Sequence, residues 1–327
     1  MACYEQGMIS TVSSPAGAES IESALRIGLA SSDAAVESIV PILRHVLTSE
    51  DSSLFGDEIV ARVRGMLADL AEQLLDRYQE PEDGAADQTA HVGVMSDALL
   101  ESPALLNHLH ALALEWQLTQ RLEARFGVDP VLTPLLQALI ASNKADTASL
   151  AMHLLAAQAR HGQAQRRMSL PLLELPAELL HTALTALRSA GDKLGQEAAA
   201  QVDEIQSRVR RDYNEASTRL GLASRLVSSL GTDARDALSI RHAGTTIFHS
   251  ALAIGAGIDR DLAVLATHES QAARLALALR ASGLKAAAVL EQCLALHPDF
   301  SFPDTLEGVS ADRAAALLAA GGAHFGD

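Results

Sequence analysis

An all-α fold is predicted by three properties of this sequence. Of its 327 residues, 60 are Ala and 52 are Leu, the strongest helix formers. Aromatic residues are only 3% of the chain and β-branched residues are sparse, which leaves little to build a sandwich, barrel or parallel sheet. Apolar residues also recur at three- and four-residue spacing between Gly, Pro, Asp and Ser punctuation. With 48% hydrophobic residues the chain has material for a large core and is not disordered. Its length admits two domains or one elongated helical array.

The elements follow in order. Residues 18–47 read as one or two helices, which Pro41 should kink or divide. Asp57 reads as the N-cap of a helix to about Tyr78, with Ile59, Val63, Met66, Leu67, Leu70 and Leu74 on one face. The acidic stretch Gln79 to Asp87, with Pro81 and Gly84, has no apolar periodicity and reads as a linker. The predicted organisation is therefore an acidic helical region at 1–80, a linker at 81–90 and a helical array at 91–327.

Beyond a short helix at Val92 to Leu100, Ser102 and Pro103 open a long one, since Pro at the first position loses no intrahelical bond. That helix carries two stripes, Leu105, Leu109, Leu112, Trp116 and Leu114, Leu118, Leu122, Phe126, so it packs on two sides before Gly127 ends it. Asp129-Pro130 repeats the cap-and-Pro device for a helix to about Ile140, and Asp146 opens another to about Arg166. An apolar turn from Ser169 to Pro176 precedes a helix to about Gly191. The spacing of Val202, Ile205, Val209, Tyr213, Ala216 and Leu220 predicts a long spine helix near 193–230, with Gly221 the expected point of any interruption. Shorter helices follow near 233–242, 245–255, 259–267, 270–281, 285–296 and 311–320. Some thirteen helices with short connections predict a HEAT-like array, or an irregular multi-helix bundle, since no strict repeat is visible.

Charge and cysteine usage limit the function classes. The formal net charge is −16; residues 1–90 hold 16 acids against 5 Arg, and the remainder holds 25 acids against 20 bases. A field of this sign repels phosphate backbones and anionic membranes, so neither nucleic acid nor membrane is an expected partner. Cys3 and Cys293 lie far apart and neither has a metal-ligand neighbour at ribbon spacing, which suits a reducing cytoplasm. Met1 to Gly17 has no positive charge and no apolar segment after it, so a secretory signal is not expected. The uncharged run His242 to Ile258 holds a positive-free but polar sequence, too short for a span of about 20 apolar residues.

No catalytic or cofactor motif emerges. His268-Glu269 is followed by Ala272 where a zincin needs His, and His108 and His110 point to different sides of one helix. Gly244 between His242 and His249 reads as a turn, so the histidines are expected at the surface or half-buried rather than on a metal. Gly255-Ala256-Gly257 runs into Arg260 where a dinucleotide fingerprint needs Gly, and Gly191 to Gly195 lacks phosphate-loop spacing. No catalytic residue, cofactor or metal is therefore assigned. One anomaly stands out: from Thr147 to Leu173 there are three bases, Arg160, Arg166 and Arg167, and no acid. With Arg210 and Arg211 on the predicted spine, these form a candidate site for an anion or an acidic partner, since guanidinium forks match phosphate and carboxylate. The plainer alternative is a solvated helix C-terminus whose cations complement the dipole.

Three stretches, Asp129 to Leu139, Arg167 to Pro176, and Thr246 to Ile258 continuing to Leu284, resemble the mostly alphaproteobacterial family catalogued as domain of unknown function 2336. Phe248 and Arg280-Ala281-Ser282-Gly283-Leu284 fit the helix and turn that recur in that family, whereas Ser250 and Gly255 depart from it. The resemblance implies an all-α, HEAT-like architecture and no catalytic residues. Together these observations predict a non-enzymatic cytoplasmic interaction module, a scaffold or regulator that binds a protein partner. The alternative is a sensor that holds an anionic metabolite or signalling nucleotide between helices. Ala311 to Ala320 is the expected cap, or the contact of a homodimer.

Overall fold

A computed structural model describes residues 15–48, 58–76, 85–194, 196–299 and 306–321. Among these residues the fold is an all-α helical array with no strand. The first half comprises α1 (Pro15–Thr48), α2 (Glu58–Asp76), α3 (Ala85–Leu100), α4 (Pro103–Phe126), α5 (Pro134–Ile140), α6 (Ala145–Arg166) and α7 (Ala177–Leu194). The second comprises α8 (Gln196–Asp212), α9 (Arg219–Ser229), α10 (Ile240–Ala256), α11 (Arg260–Leu265), α12 (Ala272–Ala281), α13 (Ala286–Leu296) and α14 (Ala311–Ala320). No helix among the described residues is long and apolar enough to cross a membrane.

Among the described residues two large apolar cores lie beside a small third one at Val36, Leu262 and Leu265, and α4 belongs to both large ones. Leu105, Leu106, Leu109 and Leu112 of its first half join Leu67, Leu70, Leu99, Leu184 and Val209 from α2, α3, α7 and α8. Leu118 and Leu122 of its second half join α5, α6 and the helices from α9 onward, with Phe248 fully buried among them. At 24 residues, α4 is about 36 Å long, enough to thread both cores. Its ends are set locally: Ser102 Oγ accepts from the Leu105 N–H at 3.2 Å, and Gly127 closes the helix at φ 67°. The cores do not divide at 81–90: α3 begins at Ala85, inside the expected linker, and shares one cluster with α2 before it and α4 after it. α1 spans both halves, packing on α2, α4 and α12.

Three local expectations are corrected. α1 is one helix through Pro41, which lies on its exposed side, so water reaches the backbone carbonyl that the proline leaves unbonded. Asp129-Pro130 starts a turn, with Asp129 Oδ1 accepting from Val131 and Leu132; Thr133-Pro134 is the pair that caps and opens α5. The predicted spine at 193–230 is interrupted: α8 ends at Asp212, and α9 restarts at Arg219 behind the N-cap Thr218, whose Oγ1 accepts from Gly221 N–H at 3.1 Å. A Cβ at Gly221 would sit 2.0 Å from the Glu215 carbonyl oxygen, so the restart requires glycine there. Terminal α14 packs on α12 and buries Ala314, Leu317 and Leu318.

α10 is the most enclosed helix and carries a break at Gly244, where φ is 71° and ψ is 175°. Most of its residues are buried, and a Cβ at Gly244 would stand 2.4 Å from Thr133 Cγ2. The break thus lets the start of α10 pass under the cap of α5. Gly244→Ala is expected to lower unfolding free energy by about 2 kcal/mol or more, from a strained backbone and a displaced cap. Chemical denaturation would check this, and an unchanged midpoint would remove the close approach as a constraint.

Candidate functional site

Between the two cores, α4 turns a glutamate inward. Glu115 is 1% exposed, and a bare buried carboxylate is costly, so its surroundings must supply charge and donors. Arg219, at the first position of α9, meets it as a fork, Nη1 to Oε1 at 2.9 Å and Nη2 to Oε2 at 3.0 Å. Arg260, at the first position of α11, adds Nη2 at 2.9 Å from both oxygens. Thr246 of α10 donates its hydroxyl to Oε1 at 2.9 Å and accepts from Gln158 Nε2 of α6 at 2.9 Å. Burial by itself would raise the Glu115 pKa, but the charges of Arg219 and Arg260 outweigh it and hold the group well below the usual carboxylate range.

Local sequence explains why both guanidiniums arrive there. The turn Asn214 to Thr218 aims α9 inward, and Glu174 accepts from the Arg219 backbone N–H at 2.8 Å. Gly257 ends α10 in the left-handed region, and Asp259 then caps α11 by accepting from Asp261 and Leu262. Arg260 therefore stands at a fixed corner.

A second pair lies beside the first. His108, one exposed part in a hundred and two turns before Glu115 on α4, holds Nδ1 2.8 Å from Asp261 Oδ2. Burial raises the Asp261 pKa, but His108 and Arg260 outweigh it and leave it lowered. His249 of α10 is fully buried and neither ring nitrogen has a hydrogen-bond partner. Burial depresses its pKa to about 3, with the arginine charges adding to the effect and Glu115 opposing it. His161 of α6, edge-on to Trp116, is likewise pushed well below its ordinary value by burial and by Arg219. His108 and His249 thus correct the expectation of surface or half-buried histidines. Among the described residues, no group of three or more His, Cys, Asp or Glu is placed to hold a metal ion.

The cluster borders a cleft of about 660 Å³ between the Asn214–Gly221 turn and the start of α11. His108, Arg260 and Asp261 line its wall, facing Ser224 and Arg225 of α9. His108 Nε2, and Nε and Nη1 of Arg260, are buried without hydrogen-bond partners.

The residues singled out from sequence lie elsewhere. Arg160 and Arg166 are exposed on α6, and Arg167 is exposed as its C-cap. Arg210 and Arg211 are exposed in the last turn of α8, with Arg210 donating to Gln206 Oε1 at 3.3 Å. α6 packs on α5 and α9 and α8 packs on α7, so the two groups ride on different helix pairs and neither enters the buried cluster. What sequence reading missed is an acid and a histidine inside an apolar stripe: His108, Leu112, Glu115 and Leu122 share a face. Polar residues at such a register mark a buried network.

The buried histidines set a pH dependence. A histidine whose folded pKa is depressed stabilises the protein fully above its unfolded value of about 6.5 and less as pH falls toward the folded value. For His249 the loss window runs from pH 6.5 to about 3. Between pH 6.5 and 5 it should remove about 2 kcal/mol of stability. Glu115 contributes nothing to that loss, since a depressed carboxylate loses its stabilisation only at lower pH. His249→Leu is expected to stay folded and flatten the profile between pH 7.5 and 5; denaturation at both pH values with an unchanged slope would contradict it. No protein-family model matches this chain, and no curated protein or solved structure is similar to it.

Proposed function

We propose that this chain is a non-enzymatic helical module that binds a small anionic molecule in the cleft between the α8–α9 turn and α11. The observation that carries the reading is Arg260. One of its terminal nitrogens is committed to Glu115, while Nε and Nη1 are buried beside the cleft with no acceptor. Unmet guanidinium donors in a low-dielectric wall favour an oxyanion. Arg225 and Arg260 share the cleft with Asp259, Asp261 and Glu215, so an anion would be held by the Arg260 guanidinium locally and not by a net positive field. The cleft volume of about 660 Å³ falls within the range of metabolite-sized pockets. Asp259 and Glu215 at the same cleft restrict the ligand to one whose negative charge is confined to one end.

Thermal shift against a panel of carboxylates and phosphate esters tests this. A ligand at a hundredfold over its Kd adds about 2.7 kcal/mol to stability. Arg260→Met leaves a one-to-one Glu115–Arg219 pair and so should stay folded, while weakening that response at least tenfold in apparent affinity. No response by the wild type at millimolar concentrations would overturn the reading.

A second reading, docking of an acidic protein partner, is favoured by one observation. Arg160, Arg166, Arg167, Arg210 and Arg211 are all exposed, whereas Arg62, Arg219 and Arg274 are buried in ion pairs. Reversing Arg166 and Arg167 to Glu should abolish recovery of such a partner from native lysate. Unchanged recovery removes this reading.

A further inference from the structure

α1 spans both halves of the molecule and is pinned on either side of its middle. On one side Gln271 Nε2 donates to the Ser32 carbonyl at 2.9 Å, and Arg274 pairs with Asp33. On the other, Arg44 Nη2 donates to the Leu100 carbonyl at 3.2 Å. From Ser32 to Arg44 the helix runs for about 18 Å. Between the pins Ala35 and Ile39 line a cavity of about 330 Å³, since Ala35 is too short to fill it. Ile59 of α2, Leu114 of α4 and Leu265 of α11 complete its apolar wall. It shares no lining residue with the cleft at the start of α11.

No Asp, Glu, Lys or Arg lines this cavity, although a fifth of the chain is charged. An ion entering it would give up hydration and find no counter-charge. Most of the polar side chains on its wall are spent on the protein itself. Gln271 bonds to Ser32 and Arg274, His268 Nδ1 lies 2.9 Å from Ser270 Oγ, and His110 is likewise engaged. Gln117 differs. It follows Leu114 by three residues on the same face of α4 and is half-buried. Its amide makes no hydrogen bond among the described residues. An amide presents an acceptor and a donor side by side, so its complement is a second amide edge.

We propose that the cavity under α1 binds a small uncharged molecule with an apolar body and an amide edge, and that Gln117 pairs with that edge. The chemical class comprises primary amides, lactams and heterocycles with adjacent N–H and C=O groups. A volume at the small end of the range for ligand pockets suits one ring system. The site stands independently of the anion cleft.

Titration of the full chain by ligand-detected NMR with benzamide, acetophenone and benzoate tests this. The three share a ring; acetophenone carries methyl in place of the amide NH₂, and benzoate carries a charge. Benzamide should bind about tenfold more tightly than acetophenone, the size of one hydrogen bond, and benzoate should not displace it. Gln117→Leu should lower benzamide to the affinity of acetophenone. Ala35→Phe, which fills the space, should abolish binding of both, and Ala35→Leu serves where the phenylalanine variant does not fold. Benzoate held at the cleft is told apart by its loss in Arg260→Met and its survival in Ala35→Phe. Equal affinities for benzamide and acetophenone, or a preference unmoved by Gln117→Leu, would overturn the amide pairing. Absence of benzamide binding at millimolar concentrations, or binding unmoved by filling the cavity, would overturn the site.

Discussion

One buried carboxylate organises the centre of this molecule. Glu115 sits inside α4, the helix common to both apolar cores, and five hydrogen bonds reach its two oxygens from α9, α10 and α11. Gln158 of α6 joins through Thr246. The stabilisation does not come from placing charges in a core, which is near break-even at best against apolar packing. It comes from the consequence that no one partner can leave without stranding another charge. The arrangement therefore specifies how α9 and α11 meet α4 more than it strengthens the contact.

The cleft follows from that constraint. Arg260 reaches Glu115 with one nitrogen only, so the rest of its guanidinium is left beside the cleft. His108 stands two turns earlier on the same helix and is oriented by Asp261, the residue after Arg260. A short helix corner, from Gly257 to Asp261, thus supplies both the bridge to the core and one wall of the cleft.

Parts of this were open to inspection in the sequence. Ser102-Pro103 and Gly127 bracket α4 as expected, because caps act within one turn of chain. The break at Gly244 was also legible, since a glycine between apolar runs has few other uses. Continuity of apolar spacing across Tyr213 and Leu220 put the expected interruption at Gly221, whereas Thr218 caps the new helix at Arg219 and Gly221 permits a close backbone approach. Five arginines in an acid-poor or terminal stretch drew attention as a charge anomaly, and all five are exposed, away from the buried cluster. Arg219 and Arg260 leave no such trace, because their partner Glu115 is far away in the chain.

Composition and apolar period determined the fold class, the helix positions and most of their ends, since all of these depend on residues within a few positions of one another. Only the tertiary structure decided the site. Arg219 and Glu115 are separated by 104 residues, Arg260 and Glu115 by 145, and Asp261 and His108 by 153. Charge pairing at such separations is set by which helices cross and where, and no local periodicity carries that information. What the sequence did contain was the anomaly of an acid and a histidine within the apolar stripe of α4, and the structure supplied the groups that balance them.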